Sequence, residues 1–286
     1  MSKRLLLCTD LDRTLIPNGP QAESREARKY FEKLAMLPQV TLVYVSGRHL
    51  ALIEQAITDY SLPKPDWAIT DVGTALYKHE GGQWQPSHAW VQAIASDWSG
   101  NTHSDVQKLF SDIGDLRLQE SDKQSSYKLS YYVSLKVDKN VLQSQMDLRL
   151  KNERIQANFI WSVDELKNVG LLDILPVSAN KRHALEFLMS LLGFEFCNTV
   201  FAGDSGNDLP VFVSPIQSVL VANTPDDVKA MALRESEVLG LAKAVYIAQG
   251  GYRGMNGNYS AGILEGVSHF FPQIDKWLDG YEHAAL

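Results

Sequence analysis

The chain has 286 residues, of which 45% are hydrophobic, and a formal net charge of -7 at pH 7. This size and apolar content predict a large buried core and favour two domains over one. The acidic balance, without a stripe rich in lysine and arginine, argues against nucleic acid as a partner. The N-terminus lacks the apolar core of a signal peptide and no run is long enough to span a membrane, so we expect a cytoplasmic protein with no membrane partner.

The first part of the chain alternates short apolar runs with amphipathic stretches. The runs at 5–9, 40–45 and 67–70 predict buried strands, and the segments 22–37 and 49–60 between them predict helices. Strands that alternate with helices in this way are typical of parallel strands joined by right-handed crossovers. This part of the chain therefore predicts half of an open α/β sheet.

The pattern changes between residues 75 and 170, where tryptophans, polar turns and an alternating segment at 128–135 predict a smaller α+β module. The apolar segment 171–176 then resembles the first strands again. A helix at 181–192 and strands at 199–202 and 218–221 are predicted to complete the sheet.

These elements predict an α/β fold in which a doubly wound, mostly parallel, Rossmann-like sheet carries an inserted smaller α+β cap domain. The predicted core comprises residues 1–77 and 171–286, and the predicted cap comprises residues 78–170. Cys8 and Cys197 both fall in or beside apolar segments. We expect both to be buried free thiols of a reducing compartment.

Two acidic segments follow predicted core strands. Asp10 and Asp12 come directly after the first strand, and Asp204 and Asp208 follow the strand at 199–202. Because ligands of parallel sheets bind beyond the carboxyl ends of the strands, we expect these carboxylates to form one site. Their oxygen atoms are the ligands that Mg²⁺ prefers. Each pair taken alone leaves a simple helix-capping role open.

The spacing of Asp10 and Asp12 also suits phosphate ester chemistry. One carboxylate can attack phosphorus to form an aspartyl phosphate, while the other protonates the leaving alcohol and later deprotonates water. Ser46, at the end of the second strand, can hydrogen-bond a phosphoryl oxygen with help from the backbone N–H groups of Gly47 and Arg48. An N-capping role for Ser46 is the alternative.

Lys181 begins the helix predicted at 181–192. The positive end of a helix dipole disfavours a cation there unless an anion lies nearby. A bound phosphate together with Asp10 is the anion that we expect. A solvated lysine with a small energetic penalty is the alternative.

Taken in order, four segments resemble the four motifs of the haloacid dehalogenase superfamily of phosphatases. They are 10–14, 45–48, Lys181 and 203–208. The large insertion between the second and third motifs is similar to the cap of the sugar-phosphatase branch, so the resemblance spans essentially the whole chain. It implies that Asp10 is the nucleophile, that Asp12 is the general acid and base, and that Mg²⁺ is the cofactor.

The resemblance also implies the remaining roles at the site. The phosphate ligands would be Ser46 and Lys181, and the groups around Mg²⁺ would be Asp10, the backbone carbonyl of Asp12, Asp204 and Asp208. Thr14 and Asn207 would support that arrangement. Arg13 stands where the superfamily most often has glycine, and the sequence assigns no role to this cation.

Within that branch the chain is most similar to the sucrose-phosphate phosphatases. The segments that carry this likeness are 6–12, 72–74, 128–131, 172–176 and 203–208. The likeness implies hydrolysis of sucrose 6-phosphate to sucrose and phosphate. The residues expected to bind substrate are Gly47, Arg48, Gly73, Thr74, Lys128 and Asn207. For Lys128 a solvated sheet face is the alternative, and for Gly73 and Thr74 a simple turn.

Other functions remain open at this point. The enzyme could act on another sugar phosphate, such as mannosylfructose phosphate or glucosylglycerol phosphate, or be a phosphosugar mutase that uses the same aspartyl chemistry. A non-catalytic partner of a sugar-phosphate synthase is a further alternative. The presence of both Asp10 and Asp12 argues against it, because a pure binding module has no chemical reason to hold two like charges close together.

Overall fold

The computed structural model of the chain describes residues 4–164 and 167–284. The expected absence of a signal peptide depends partly on residues 1–3, which lie outside the described residues. The chain divides into two compact units, Met1–Pro86 with Lys181–Leu286, and Ser87–Asn180. Among the described residues, no helix has the length and apolar character required to cross a membrane.

Strands and helices alternate along most of the described chain. The strands are β1 (Leu5–Thr9), β2 (Val40–Val45), β3 (Trp67–Thr70), β4 (Ala75–Glu80), β5 (Gln83–Pro86), β6 (Leu116–Leu118), β7 (Leu129–Val133), β8 (Ala157–Asp164), β9 (Val169–Pro176), β10 (Thr199–Gly203), β11 (Gln217–Leu220) and β12 (Val245–Ile247). The helices are α1 (Ala27–Ala35), α2 (Leu50–Asp59), α3 (His88–Ala95), α4 (His103–Leu109), α5 (Lys139–Asn152), α6 (Lys181–Leu192), α7 (Leu209–Phe212), α8 (Asp226–Val238), α9 (Ser260–Phe270) and α10 (Gln273–Ala284).

The first unit is built on a sheet whose strand order, within the described residues, is β12-β11-β10-β1-β2-β3-β4-β5. The strands from β12 to β3 pair in parallel. Leu5 and Leu7 belong to a core that includes residues of α1 and α9, whereas Leu6 and Cys8, which alternate with them, are also fully buried. Burial on both faces explains why β1 reads as a continuous apolar run. The predicted mostly parallel α/β sheet is confirmed.

Two segments belong to different sheets from those predicted. The strands β4 and β5 form an antiparallel hairpin that extends the first unit's sheet from β3, so residues 78–86 are not part of the insertion. The strand β9 pairs antiparallel with β7 and β8 in the second unit. The prediction that residues 171–176 return to the core sheet is therefore wrong, because a strand in the middle of a small sheet is as apolar as a parallel core strand.

The second unit contains an antiparallel sheet with the strand order β6-β7-β9-β8. Its buried core includes Leu129 and Tyr131 from β7, Trp98 from the 3-10 turn after α3 and Met146 from α5. This combination of helices with an antiparallel sheet agrees with the α+β module predicted for the insertion. The observed unit runs from Ser87 to Asn180 and so begins and ends about ten residues later than the predicted 78–170.

The two cysteines differ in their surroundings. Cys8 lies buried in β1, and burial raises the pKa of its thiol well above the ordinary value. Cys197 is exposed, in a 3-10 turn at Phe196–Asn198 that precedes β10. The prediction that Cys197 is buried is wrong, because the strand begins two residues later, at Thr199.

Candidate active site

The carboxyl ends of β1 and β10 meet at one edge of the sheet. Thr9 pairs with Ala202 in the parallel register, and the backbone N–H of Asp10 donates to the Ala202 carbonyl at 2.8 Å. This hydrogen bond continues the ladder by one residue and fixes Asp10 beside the segment that begins at Gly203. The two acidic segments, almost two hundred residues apart in sequence, are brought together as predicted.

Three carboxylates form a buried cluster at this edge. Oxygen atoms of Asp10, Asp204 and Asp208 lie within 4.8 Å of one another, and all three residues are buried. Burial raises the pKa of Asp10 to about 7 and that of Asp204 to about 6. Buried like charges of this kind are unfavourable unless cations balance them. The oxygen-only donor set suits a hard divalent cation.

Lys181 is the cation in the middle of this cluster. Its side chain is 1% exposed, and Nζ donates to Asp208 Oδ1 at 2.6 Å and to Asn207 Oδ1 at 2.9 Å, while Asp10 Oδ1 lies 3.3 Å away. Burial opposes its charge, but the Asp10 and Asp208 carboxylates outweigh burial and raise the pKa of Lys181. These two carboxylates explain how a lysine can occupy the first position of α6. The sequence predicted Asp10 as a neighbouring anion but not Asp208.

Asp208 also organises the loop that follows β10. Its Oδ2 accepts hydrogen bonds from the backbone N–H groups of Asp204 and Ser205, at 3.2 and 3.1 Å, and from the Ser205 hydroxyl at 3.0 Å. A Cβ atom at Gly203 would lie only 2.6 Å from that oxygen. Glycine is therefore required at this position for the carboxylate to fold back onto the loop.

Asp12 lies outside the buried cluster and its carboxylate is held by two neighbours. Arg48 donates from Nε to Oδ2 at 2.7 Å and from Nη2 to Oδ1 at 2.6 Å, and Asn18 donates to Oδ1 at 2.7 Å. Burial raises the pKa of Asp12, but these hydrogen bonds outweigh burial and leave it below the ordinary value. The sequence did not predict this bidentate pair, because nothing local links positions 12 and 48.

Ser46 and Gly47 lie at the end of β2, as predicted. The Ser46 N–H donates to the Ile69 carbonyl at 2.9 Å, and its hydroxyl accepts from the Arg48 N–H at 3.2 Å. A turn at Asp71–Gly73 supports this loop, since the Asp71 N–H donates to the Arg48 carbonyl at 3.0 Å. The Ser46 hydroxyl is thus positioned by the ends of β2 and β3.

A cavity of about 500 Å³ opens at this edge of the first unit. Its lining residues are Asp10, Asp12, Arg13, Ser46, Gly47, Arg48, Leu52, Asp204, Ser205, Gly206, Asn207, Pro225 and Val228. The cavity therefore gathers Asp10, Asp12, Asp204 and the predicted phosphate ligand Ser46, whereas Asp208 and Lys181 are buried and do not line it. A second, more apolar hollow of similar volume, lined in part by Phe194 and Cys197, contains none of these groups.

Three predicted substrate residues do not line this cavity. Gly73 and Thr74 belong to the turn after β3, where the Thr74 hydroxyl donates to the Asp71 carbonyl at 3.1 Å. Lys128 belongs to the second unit, where its Nζ lies 3.7 Å from Asp173 Oδ2 and its side chain is 12% exposed. The alternative of a solvated sheet face for Lys128 is wrong, and its contact with substrate stays a prediction.

Arg13 and Thr14 both reach Asp204. The Thr14 hydroxyl donates to Oδ1 at 2.9 Å, and Arg13 Nε lies 3.7 Å from Oδ2. Arg13 has a left-handed backbone with a φ of 57°, the conformation that glycine adopts most readily. This explains why glycine is the common residue at the position and gives Arg13 a neighbour that the sequence alone did not assign.

The mostly parallel sheet, with a buried aspartate, a buried lysine and an acidic cluster at its carboxyl edge, defines the class of haloacid dehalogenase-like hydrolases. The family model of sucrose-6F-phosphate phosphohydrolases matches residues 3–271. The chain belongs to this family. The comparisons with other proteins agree that its class is that of sugar-phosphate phosphatases.

Several relatives carry this assignment. An uncharacterised HAD-like hydrolase from Nitrosococcus oceani is 51% identical over the whole chain and 77% of its own length. A probable sucrose-phosphatase from Arabidopsis thaliana is 30% identical over 78% of this chain, which spans only 52% of that relative. A mannosylfructose-phosphate phosphatase from Agrobacterium fabrum is 29% identical over 81% of this chain and 88% of its own length.

Solved structures show the same fold. The sucrose-phosphatase of Synechocystis, determined in complex with sucrose and phosphate, aligns with a TM-score of 0.69 at 23% identity. The alignment covers 94% of this chain and 98% of that structure.

Proposed function

We propose that the protein hydrolyses sucrose 6-phosphate to sucrose and phosphate through an aspartyl phosphate on Asp10. The observation that carries this proposal is the arrangement of Asp10 beside Lys181 and Asp204 at the edge of the sheet, in a chain of the sucrose-6F-phosphate phosphohydrolase family. Asp10 lines an open cavity, so its carboxylate can reach a phosphoryl group that enters from solvent.

We propose Mg²⁺ as the cofactor. Asp10 and Asp204 would hold it, with Asp208 orienting the loop and Lys181, since the Asp208 oxygens already accept four hydrogen bonds. The backbone carbonyl of Asp12 stays a further predicted ligand. The cation supplies charge neutralisation for the phosphoryl oxygens during transfer. The excess of buried negative charge around Asp10 and Asp204 supports this assignment.

In the first step an oxygen of the Asp10 carboxylate attacks phosphorus, and the bond from phosphorus to the sugar oxygen breaks. Asp12 gives a proton to the departing sugar oxygen, so that sucrose leaves as a neutral alcohol. Lys181 would hold a phosphoryl oxygen and keep the Asp10 carboxylate aligned. The hydroxyl of Ser46 and the N–H of Gly47 would bind the remaining phosphoryl oxygens.

In the second step water attacks phosphorus of the aspartyl phosphate and the Asp10 carboxylate leaves. Asp12 takes the proton from water, which restores both residues and releases phosphate. For Asp12 to act as an acid, its two hydrogen bonds from Arg48 have to weaken, because they favour the ionised carboxylate. We infer that substrate draws Arg48 towards the phosphate, which frees Asp12 to hold a proton.

The identity of the sugar is the finer part of the proposal. The family supports sucrose 6-phosphate. The likeness to a mannosylfructose-phosphate phosphatase favours mannosylfructose phosphate as the second candidate, because that relative matches over nearly all of its own length. The sugar contacts of Lys128, Gly73 and Thr74, the cytoplasmic location and an association with a sugar-phosphate synthase stay predictions from the sequence.

The test is phosphate release by the purified chain with Mg²⁺ and with EDTA. The substrates are sucrose 6-phosphate, mannosylfructose phosphate, glucosylglycerol phosphate, glucose 6-phosphate and fructose 6-phosphate. We expect Mg²⁺-dependent release with a preference for sucrose 6-phosphate. A preference for mannosylfructose phosphate would keep the mechanism and replace the substrate, and isomerisation without phosphate release would identify a mutase.

The variant Asp10→Asn tests the nucleophile. An amide cannot form the aspartyl phosphate, so we expect turnover to fall by at least about a thousandfold while the circular dichroism spectrum is retained. Asp59→Asn is the matched control, because Asp59 is an exposed residue at the end of α2. Turnover by Asp10→Asn close to that of the control would exclude Asp10 as the nucleophile.

A further inference from the structure

Arg13 is a charged residue at the site for which the proposed mechanism has no use. It lies between Asp12 and Thr14, and its left-handed backbone is held from both sides. The Arg13 N–H donates to Asn18 Oδ1 at 2.8 Å, and Asn223 Nδ2 donates to the Arg13 carbonyl at 2.6 Å. A side chain other than glycine is unfavourable in this conformation, so the surroundings impose it on Arg13.

The guanidinium of Arg13 is directed at Asp204. Nε lies 3.7 Å from Asp204 Oδ2, which is within ion-pair range but too long for a hydrogen bond. This Nε atom is buried and has no hydrogen-bond partner among the described residues. Arg13 therefore acts on Asp204 through its charge and not through a hydrogen bond.

The other cations of the site are already engaged. Arg48 forks onto Asp12, and Lys181 donates to Asp208 and lies 3.3 Å from Asp10. Asp204 is 3% exposed, and the Thr14 hydroxyl that donates to it carries no charge. Arg13 is thus the cation nearest to Asp204 among the ion pairs of the described residues.

We propose that Arg13 neutralises Asp204 in the metal-free protein and competes electrostatically with Mg²⁺ for that carboxylate. This inference rests on the metal site of the proposed function. A cation near the site repels Mg²⁺, so Arg13 lowers the affinity of the free enzyme for the metal. The same charge stabilises the buried acidic cluster when no metal is bound. Arg13 is therefore a positioning residue that sets the metal affinity.

The experiment is calorimetric titration of MgCl₂ into the 286-residue chain without substrate. The variants are Arg13→Gln, Arg13→Gly and Arg13→Lys, and glycine removes the charge while suiting the left-handed backbone. Arg28→Gln is the matched control, because it removes one positive charge from a side chain 42% exposed, against 41% for Arg13, in a pair with Glu23. Thermal unfolding in EDTA is the second readout.

We expect Arg13→Gln and Arg13→Gly to bind Mg²⁺ roughly threefold to thirtyfold more tightly than the wild type. Arg13→Lys and Arg28→Gln should bind within about twofold of it. In EDTA, Arg13→Gln should unfold at a lower temperature than the wild type, and added Mg²⁺ should remove most of that difference.

Equal or weaker Mg²⁺ binding by both uncharged variants would overturn the inference while leaving the proposed metal site intact. Unchanged Mg²⁺ binding together with a raised KM would also overturn it and identify Arg13 as a substrate contact. A wild-type protein that does not bind Mg²⁺ would overturn the proposed metal site, and this inference would fail with it.

Discussion

Replacement of Lys181 by methionine tests the electrostatic account of the site most directly. The side chain is 1% exposed, and its Nζ lies 2.6 Å from Asp208 and 3.3 Å from Asp10. Methionine has a similar length but no charge, so Lys181→Met leaves buried carboxylates without their cation. Loss of one partner of a buried ion pair costs roughly 3–5 kcal/mol, and we expect the free energy of unfolding to fall by about this amount.

The measurement is urea unfolding followed by circular dichroism in EDTA. Lys78→Met is the control, because Lys78 pairs with Glu80 at 2.8 Å with side chains 43% and 66% exposed. Such a pair contributes about 0–1 kcal/mol, so its loss should be small. Adding Asp208→Asn to Lys181→Met removes one uncompensated charge and should recover at least about 1 kcal/mol.

A loss below about 1 kcal/mol for Lys181→Met, equal to that of the Lys78→Met control, would refute the reasoning. Failure of the double variant to recover stability would refute it as well. Either result would mean that the acidic cluster does not depend on this lysine, and the placement of Lys181 at the start of α6 would then need another explanation.

Two further predictions follow from residues around the site and in the sheet. Asn223→Ala removes an amide that donates to the Arg13 carbonyl at 2.6 Å and accepts from the Tyr259 N–H at 2.9 Å. The free energy of unfolding should therefore fall by about 1–3 kcal/mol. An unchanged midpoint of urea unfolding would contradict this role. Burial raises the pKa of Cys8 whereas Cys197 is exposed, so the folded protein should react with one equivalent of a thiol reagent and the urea-unfolded protein with two. Fast reaction of both thiols in buffer would show that β1 is not buried.

The sequence was sufficient for the elements that local pattern defines. The bounds of β1, β2, β3 and α6 agree with those predicted from apolar runs and helical spacing. The two acidic segments were correctly assigned to one edge of the sheet, because parallel strands have their carboxyl ends on the same side. The family followed from short motifs whose residue types are set by the chemistry of phosphate and metal.

The sequence was insufficient where pairing between distant segments decides the outcome. The apolar alternation of β9 fits either sheet, and only its antiparallel pairing with β7 and β8 assigns it to the second unit. The hairpin of β4 and β5 is polar enough to resemble an insertion, yet it extends the first unit's sheet.

The electrostatic partners within the site were likewise decided by tertiary structure. Asp12 could be identified from its motif, but its pairing with Arg48 depends on where β1 and β2 end in space. The charge of Arg13 could be read from the sequence, whereas its approach to Asp204 depends on its backbone conformation. A hydrogen bond to Asn18 and one from Asn223, which is distant in the chain, fix that conformation. Local sequence determines which groups are present, and long-range packing determines which charges face each other, because electrostatic energy depends on distance and burial rather than on position along the chain.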